Sequence, residues 1–303
     1  MNILPLVLAG GFGKRLSPLS TEELPKQFIH FFDNEESFFQ KTIKRLRRVF
    51  ITETIVVCCN EKHLDLVKIQ LKKINETNFA LIIEKESRNT FASVLLGLNL
   101  AKRYEINTML VVPSDSFIEN NEVFYKNIHS AITESYKTKK HVIFGIKPHE
   151  ANNNYGYIKI SDNKKICCVK NKKNNFFDVE SFIEKPDIET AEKFVKYGDC
   201  FWNSGQFVFN IEKLKQEIKQ YQKEAWRIFS KMKLIKKSKN LYITDNIFLT
   251  IPNLQIDRAI IEKSKNLLCC EAEFDWCDIG SFEVLKYLIS VKKIQTVGNY
   301  FNV

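Results

Sequence analysis

The sequence predicts an α/β domain in which a parallel sheet carries helices on both faces. Three observations point there. Residues 3–9 form a continuous apolar run that ends in glycines, as a fully buried strand does. Through residue 115, short apolar runs then alternate with stretches of helical period. The whole chain, 303 residues with 44% hydrophobic and 27% charged, is long and apolar enough for a substantial core.

The elements follow in order. Strands are predicted at 3–9, 54–59, 79–83 and 108–112. Between them Phe39, Ile43, Leu46 and Phe50 recur at helical spacing, and so do Leu64, Val67, Leu71 and Ile74. A third helix is expected through Leu100, capped by Thr90. Strands at 141–146, 155–160 and 177–183 come next, separated by turns rich in Asn, Asp and Lys. Residues 187–197 read as a helix with Asp187 as N-cap and Gly198 just past its end. Residues 211–236 read as helical, and 257–264 and 281–291 as shorter helices. One domain over 1–290 is expected, with 291–303 as a short tail that begins a further element.

The 46 basic and 36 acidic residues leave a formal charge of +10, which invites an anionic partner. The cations are dispersed, however. The densest patches, 164–173 and 233–239, are broken runs and lack the interleaved aromatics of a nucleic-acid surface. No nucleic-acid partner is expected. No apolar run approaches the ~18 residues of a membrane span, and the start lacks a basic n-region. Six of the eight cysteines form adjacent pairs, Cys58-Cys59, Cys167-Cys168 and Cys269-Cys270, with no C-x-x-C. They read as buried thiols of a reducing, cytoplasmic protein rather than a zinc site.

The segment Gly10-Gly11-Phe12-Gly13-Lys14-Arg15-Leu16 carries the most chemistry. It lacks the Walker A spacing, and Leu16 stands where a G-x-G-x-x-G would need its third Gly. Glycines at the carboxyl end of a parallel strand still let backbone amides approach a phosphate or base closely. Lys14, Arg15 and Lys26 would supply the cations a triphosphate needs. On the loop alone, a tight strand-to-helix turn with surface cations explains the residues equally well.

The longer pattern breaks that tie. Gly10-Gly11-x-Gly13-x-Arg15-Leu16-x-Pro18-Leu19-Ser20, followed by Pro25-Lys26-Gln27-Phe28, resembles the opening of the sugar nucleotidyltransferases, and among them the mannose-1-phosphate guanylyltransferases. The resemblance implies a Rossmann-like, mostly parallel mixed sheet flanked by helices, of the nucleotide-diphospho-sugar transferase type. It implies that GTP and a sugar 1-phosphate react to a nucleotide sugar and pyrophosphate. Gly10, Gly11, Gly13 and Lys14 would then line the nucleotide, Arg15 would contact the leaving phosphates, and Lys26 the phosphates at the reacting centre.

Further segments follow in the family's order. Asp115 in Pro113-Ser114-Asp115 and Asp278 in Asp275-Trp276-Cys277-Asp278-Ile279-Gly280 resemble its two Mg²⁺ ligands. Ser116 replaces the His common in the family. Glu184-Lys185-Pro186 resembles the pair in which Lys binds the sugar phosphate and Glu the sugar hydroxyls. Trp202-Asn203-Ser204-Gly205 resembles a sugar-binding segment led by Asn203, and Tyr155-Gly156-Tyr157-Ile158 one where Gly156 leaves room for the ring. Arg88-Asn89-Thr90 resembles the base-side segment, though Phe91-Ala92 follows where Ala-Pro is common. Asp257 and Glu262 fall at family-like spacing and are expected to pack and pair rather than catalyse.

The pattern implies GMP transfer to mannose 1-phosphate. Another sugar phosphate, a heptose or glucose, or another NTP stays open, and so does a homodimer. Many relatives carry a further C-terminal isomerase domain. This chain stops before one would fit, so no isomerase activity is expected. A catalytically dead relative is disfavoured by the presence of Arg15, Lys26, Asp115, Lys185 and Asp278 together.

Overall fold

The computed structural model describes residues 2–31, 36–161 and 176–294, apart from the side chain of Lys14. The 164–173 patch, Cys167-Cys168 and the tail beyond residue 294 lie outside the described residues.

The first half alternates as the sequence predicts: β1 (Ile3–Leu8), α1 (Phe38–Val49), β2 (Ile55–Asn60), α2 (Leu64–Lys73), β3 (Phe79–Glu84), α3 (Asn89–Arg103) and β4 (Thr108–Pro113). Next come β5 (Ser116–Ile118), α4 (Asn121–Thr138), β6 (His141–Ile146), β7 (Gly156–Ile160), β8 (Phe176–Glu184), α5 (Ile188–Tyr197) and β9 (Cys200–Asn210). The chain continues through α6 (Ile211–Tyr221), α7 (Lys223–Lys231), β10 (Leu234–Ser238), β11 (Leu241–Thr244), α8 (Ile256–Ala259), β12 (Leu267–Glu271), β13 (Trp276–Asp278) and α9 (Phe282–Ser290).

Eleven of these strands form one sheet in the order β10-β11-β3-β2-β1-β4-β9-β6-β12-β8-β7, and β7 also pairs with β9. The run β11-β3-β2-β1-β4 is parallel, while β9 is antiparallel to both β4 and β6. The sheet is therefore mixed and helix-flanked. Along β1, Leu4 and Leu6 pack against α3 residues such as Leu95 and Leu98, while Val7 and Ala9 pack toward Phe39 and Ile43 of α1. That two-sided burial explains the unbroken apolar run of the sequence. A third cluster joins Leu16, Leu19 and Phe31 to Ile279, Leu285 and Leu288, so α9 and the chain after β13 pack onto the glycine-loop region.

Two local expectations are corrected, and one strand goes unannounced. Thr90 does not cap α3. The N-cap position is Arg88, without a side-chain cap bond, and the Thr90 hydroxyl instead accepts from the Ile256 amide. Residues 211–236 are not one helix, because α6 gives way to α7 at Gln222, and residues 234–238 become β10, paired with β11. Helical periodicity cannot register a chain reversal made by strand pairing. Residues 200–210 form the longest strand described, which the sequence pattern does not announce, because Asn203-Ser204-Gly205 interrupts the apolar run. By contrast, α5 begins and ends as read: Asp187 accepts from the Thr190 amide, and Gly198 takes φ +72°.

Candidate active site

The loop leaving β1 is held from below. Gln27 Nε2 donates to the carbonyls of Ala9 (3.3 Å) and Gly11 (2.8 Å), and the Ser87 hydroxyl donates to the carbonyl of Gly10 (3.1 Å). Gly13 takes φ +65°, and a Cβ there would fall 2.6 Å from Ser20 Oγ and 3.1 Å from Lys26 Cγ. Only glycine fits that turn without pushing Lys26 aside. At Gly11 a Cβ would meet nothing within 4 Å, so its surroundings are open.

Two carboxylates far apart in sequence converge beside this loop. Asp278 ends β13, which pairs antiparallel with β5, and its cross-strand partner is Ser116. Asp115 is the residue before Ser116. Lys26 Nζ lies between the two acids, 3.1 Å from Asp115 Oδ2 and 3.5 Å from Asp278 Oδ1, and donates to the Ile279 carbonyl at 2.6 Å. Arg15 reaches Asp278 Oδ2 at 3.5 Å from the solvent side. The Lys26 side chain is only 7% exposed. Burial opposes its charge, but Asp115 and Asp278 outweigh burial, and the ammonium is held above the ordinary lysine range. Lys26 therefore stays cationic at neutral pH.

A second group gathers where β7, β8 and β9 meet. Gly156 pairs with Glu184 across β7–β8, and a Cβ on it would fall 2.7 Å from Glu184 Oε2 and 3.4 Å from Asn203 Cβ. That Cβ would also fall 2.9 Å from Phe182 Cζ, so only glycine lets the Glu184, Phe182 and Asn203 side chains close in at this strand position. Lys185 takes φ +53° at the strand end, and its Nζ lies 3.1 Å from Glu184 Oε1. Asn203 Nδ2 donates to Asp257 Oδ1 (2.9 Å), and the Glu184 amide donates to Glu262 Oε1 (2.9 Å). Asp257 and Glu262 do pair, and their partners are candidate site residues. Burial first, then Glu184, raise the Asp257 carboxyl to about 7.

Arg88 and Asn89 hydrogen-bond or pair with residues outside both groups. Arg88 donates to the Ile251 carbonyl (3.3 Å) and pairs with Glu86 (3.4 Å), and Asn89, at φ +63°, accepts from the Thr90 amide. Their link to the loop runs through neighbouring Ser87.

The donor set fits a divalent cation. Asp115 and Asp278 keep 33% and 25% of their side-chain surface exposed and face a common point held by Lys26. Mg²⁺ is held by one or two carboxylates with water and phosphate oxygens completing its shell. Among the described residues no group of three or more His, Cys, Asp or Glu gathers as a protein-only metal cage.

Residues 4–290 match the family described as nucleotidyl transferase. The chain belongs to the nucleotidyl transferase family. An Escherichia coli mannose-1-phosphate guanylyltransferase is 34% identical over 296 residues, covering 93% of this chain and 61% of its own length. Another from Salmonella typhimurium is 34% identical over 291 residues, covering 94% of this chain and 58% of its own. The chain thus spans about three fifths of the length of these curated relatives. A solved structure from Thermus thermophilus, described as a mannose-1-phosphate geranyltransferase, superposes with TM-score 0.81 at 23% identity, covering 96% of this chain and 80% of that one. That likeness bears on the fold.

Within this nucleotidyl transferase, sequence reasoning missed the residues that hold the site from behind. Gln27 and Ser87 brace the glycine loop; Gln27 stood inside the Pro25-Lys26-Gln27-Phe28 motif without an assigned role, and Ser87 only next to Arg88-Asn89-Thr90. Glu84 ends β3 inside the core, where Ser93 Oγ donates to its Oε1 at 2.5 Å. Burial raises its carboxyl to about 7. A Cβ on Gly10 would meet Glu84 Oε2 at 3.0 Å. An acid closing the apolar run 79–83 was the available signal.

Proposed function

We propose that this chain transfers GMP from GTP to mannose 1-phosphate, giving GDP-mannose and pyrophosphate. The observation that carries the reading is Lys26 seated between Asp115 and Asp278 at the glycine loop, with the Glu184–Lys185–Asn203 group on neighbouring strands. The names of the curated relatives supply the choice of base and sugar.

In this reading Gly10, Gly11, Gly13 and Lys14 border the nucleotide, with Arg88 and Asn89 on its base side. Arg15, the more exposed cation, meets the leaving phosphates, and Lys26 meets the phosphates at the reacting centre. Lys185 binds the sugar phosphate, while Glu184 and Asn203 take sugar hydroxyls beside Gly156. Asp115 and Asp278 would hold Mg²⁺, which offsets negative charge on the phosphates when bound. The substrate phosphate is itself an anionic nucleophile, so the side chains position it and neutralise charge rather than form a covalent intermediate.

No helix among the described residues is long and apolar enough to cross a membrane. The six described cysteines are free thiols, as a reducing compartment keeps them. The reading places the enzyme in the cytoplasm, with GTP and the sugar phosphate as its partners. The test is pyrophosphate release across four NTPs and several sugar 1-phosphates. GTP with mannose 1-phosphate should be the best pair. UTP or dTTP with glucose 1-phosphate as the best pair, or a heptose phosphate, would overturn the substrate assignment and leave nucleotidyl transfer standing.

A further inference from the structure

We infer that Asp257 is a positioning residue that aims the Asn203 carboxamide at the sugar. The inference rests on the reading above of Asn203 as a sugar contact. A backbone amide can donate only to the carbonyl end of a carboxamide. The Gly205 amide donates to Asn203 Oδ1 at 3.2 Å, so the two ends of the Asn203 side chain are assigned. One of the two Nδ2 hydrogens then goes to Asp257 Oδ1 at 2.9 Å. The second Nδ2 hydrogen is left to another acceptor. Asn203 itself lies beside Gly156, over which Glu184 Oε2 also closes in.

The terminal torsion of Asn is broad, and its rotamer does not fix the amide plane. Two hydrogen bonds, one at each end, do fix it. The charged groups facing Asp257 are Glu184, which pushes its carboxyl up, and Lys185, which pulls it down. Asp257 Oδ1 accepts from Asn203 whether or not the carboxyl carries a proton. A carboxamide at 257 can therefore replace it, whereas an aliphatic side chain of similar size cannot.

The experiment is calorimetric binding of GDP-mannose and of GMP to the wild type, Asp257→Leu, Asp257→Asn, Asn203→Ala and the double variant Asp257→Leu/Asn203→Ala. Asp257→Leu should weaken GDP-mannose about tenfold while leaving GMP within about twofold, the scale of one lost hydrogen bond. Asp257→Asn should recover most of that loss. In the Asn203→Ala background, Asp257→Leu should add less than about twofold, because the two residues act as one unit. Equal weakening of GMP, no recovery in Asp257→Asn, or a full additive loss in the double variant would each overturn the inference. If the wild type binds UDP-glucose more tightly than GDP-mannose, the substrate reading fails instead, and the same comparison is made with UDP-glucose and UMP.

Discussion

Asp278 stands directly across a short antiparallel ladder from Ser116, so Asp115, one residue earlier, shares the Lys26 ammonium with it at 3.1 and 3.5 Å. The ladder is only three residues long on each strand, β5 and β13, and packing of α9 and Ile279 onto the glycine-loop region supports it. Each Asp→Asn variant at these positions should lower turnover by about 10²-fold with the fold intact, since each removes a charged oxygen donor to the cation. Turnover with a magnesium titration, alongside circular dichroism, reads both. Full activity in both variants with magnesium still required would exclude these ligands.

Lys26 and Lys185 belong to different halves of the site, and their variants should separate kinetically. Lys26→Ala should impair use of the nucleotide, and Lys185→Ala should mainly impair use of the sugar phosphate. Each loses a charge-assisted contact worth about 1.5–3 kcal/mol, or roughly 10–150-fold. An unchanged KM and kcat for the sugar phosphate in Lys185→Ala would reduce Glu184-Lys185-Pro186 to a surface turn.

The glycines of the loop should respond unequally. Gly13→Ala meets both a positive φ and the Ser20 and Lys26 side chains, so it should cost about 1–2 kcal/mol of stability. Gly11→Ala has room for its methyl and should unfold within about 0.5 kcal/mol of the wild type. If Gly11 borders the nucleotide, that variant should nevertheless raise the KM for GTP. Denaturant unfolding and steady-state kinetics on the same two proteins decide the matter.

One buried acid, Glu84, and one half-buried acid, Asp257, give the protein a pH signature. Glu84 and Asp257 are raised to about 7 in the folded chain, while an unfolded carboxyl titrates near 4. Between those values the folded state holds protons that the unfolded state has released, so stability falls as pH rises from about 4 to 7 and then levels. Each group contributes a slope of at most about 1.4 kcal/mol per pH unit. Urea unfolding from pH 5 to 8 should show that fall, and Glu84→Gln should make it shallower. The same slope in Glu84→Gln as in the wild type would mean that Glu84 ionises normally.

Much of the parallel half was legible because buried strands and amphipathic helices each leave a local period, as 3–9 and Phe39–Ile43–Leu46–Phe50 do. The two aspartates and two lysines were legible from their motifs. The resemblance implied that the two aspartates share a cation, but how they and Lys26 come together was not legible, because it depends on β5 pairing with β13 across more than 150 residues of chain. Asp257 was visible only as an acid on a short helix, with packing and pairing as its expected role. Its bond to Asn203 exists because β9 runs beside the short α8 segment, and no local pattern encodes that approach. The β10–β11 hairpin is hidden because Lys-rich strand residues 234–238 continue the charge pattern of the preceding helices.

The proposed reaction is attack of a sugar phosphate oxygen on the α-phosphorus of GTP at the Lys26–Asp115–Asp278 site. The direct measurement is ³¹P NMR of the reaction with mannose 1-phosphate carrying ¹⁸O in its phosphate. All the label should appear in GDP-mannose, including the new bridging oxygen, and the pyrophosphate should carry none. Label in pyrophosphate, or no nucleotide sugar formed from any NTP and sugar phosphate offered with Mg²⁺, would rule this reaction out.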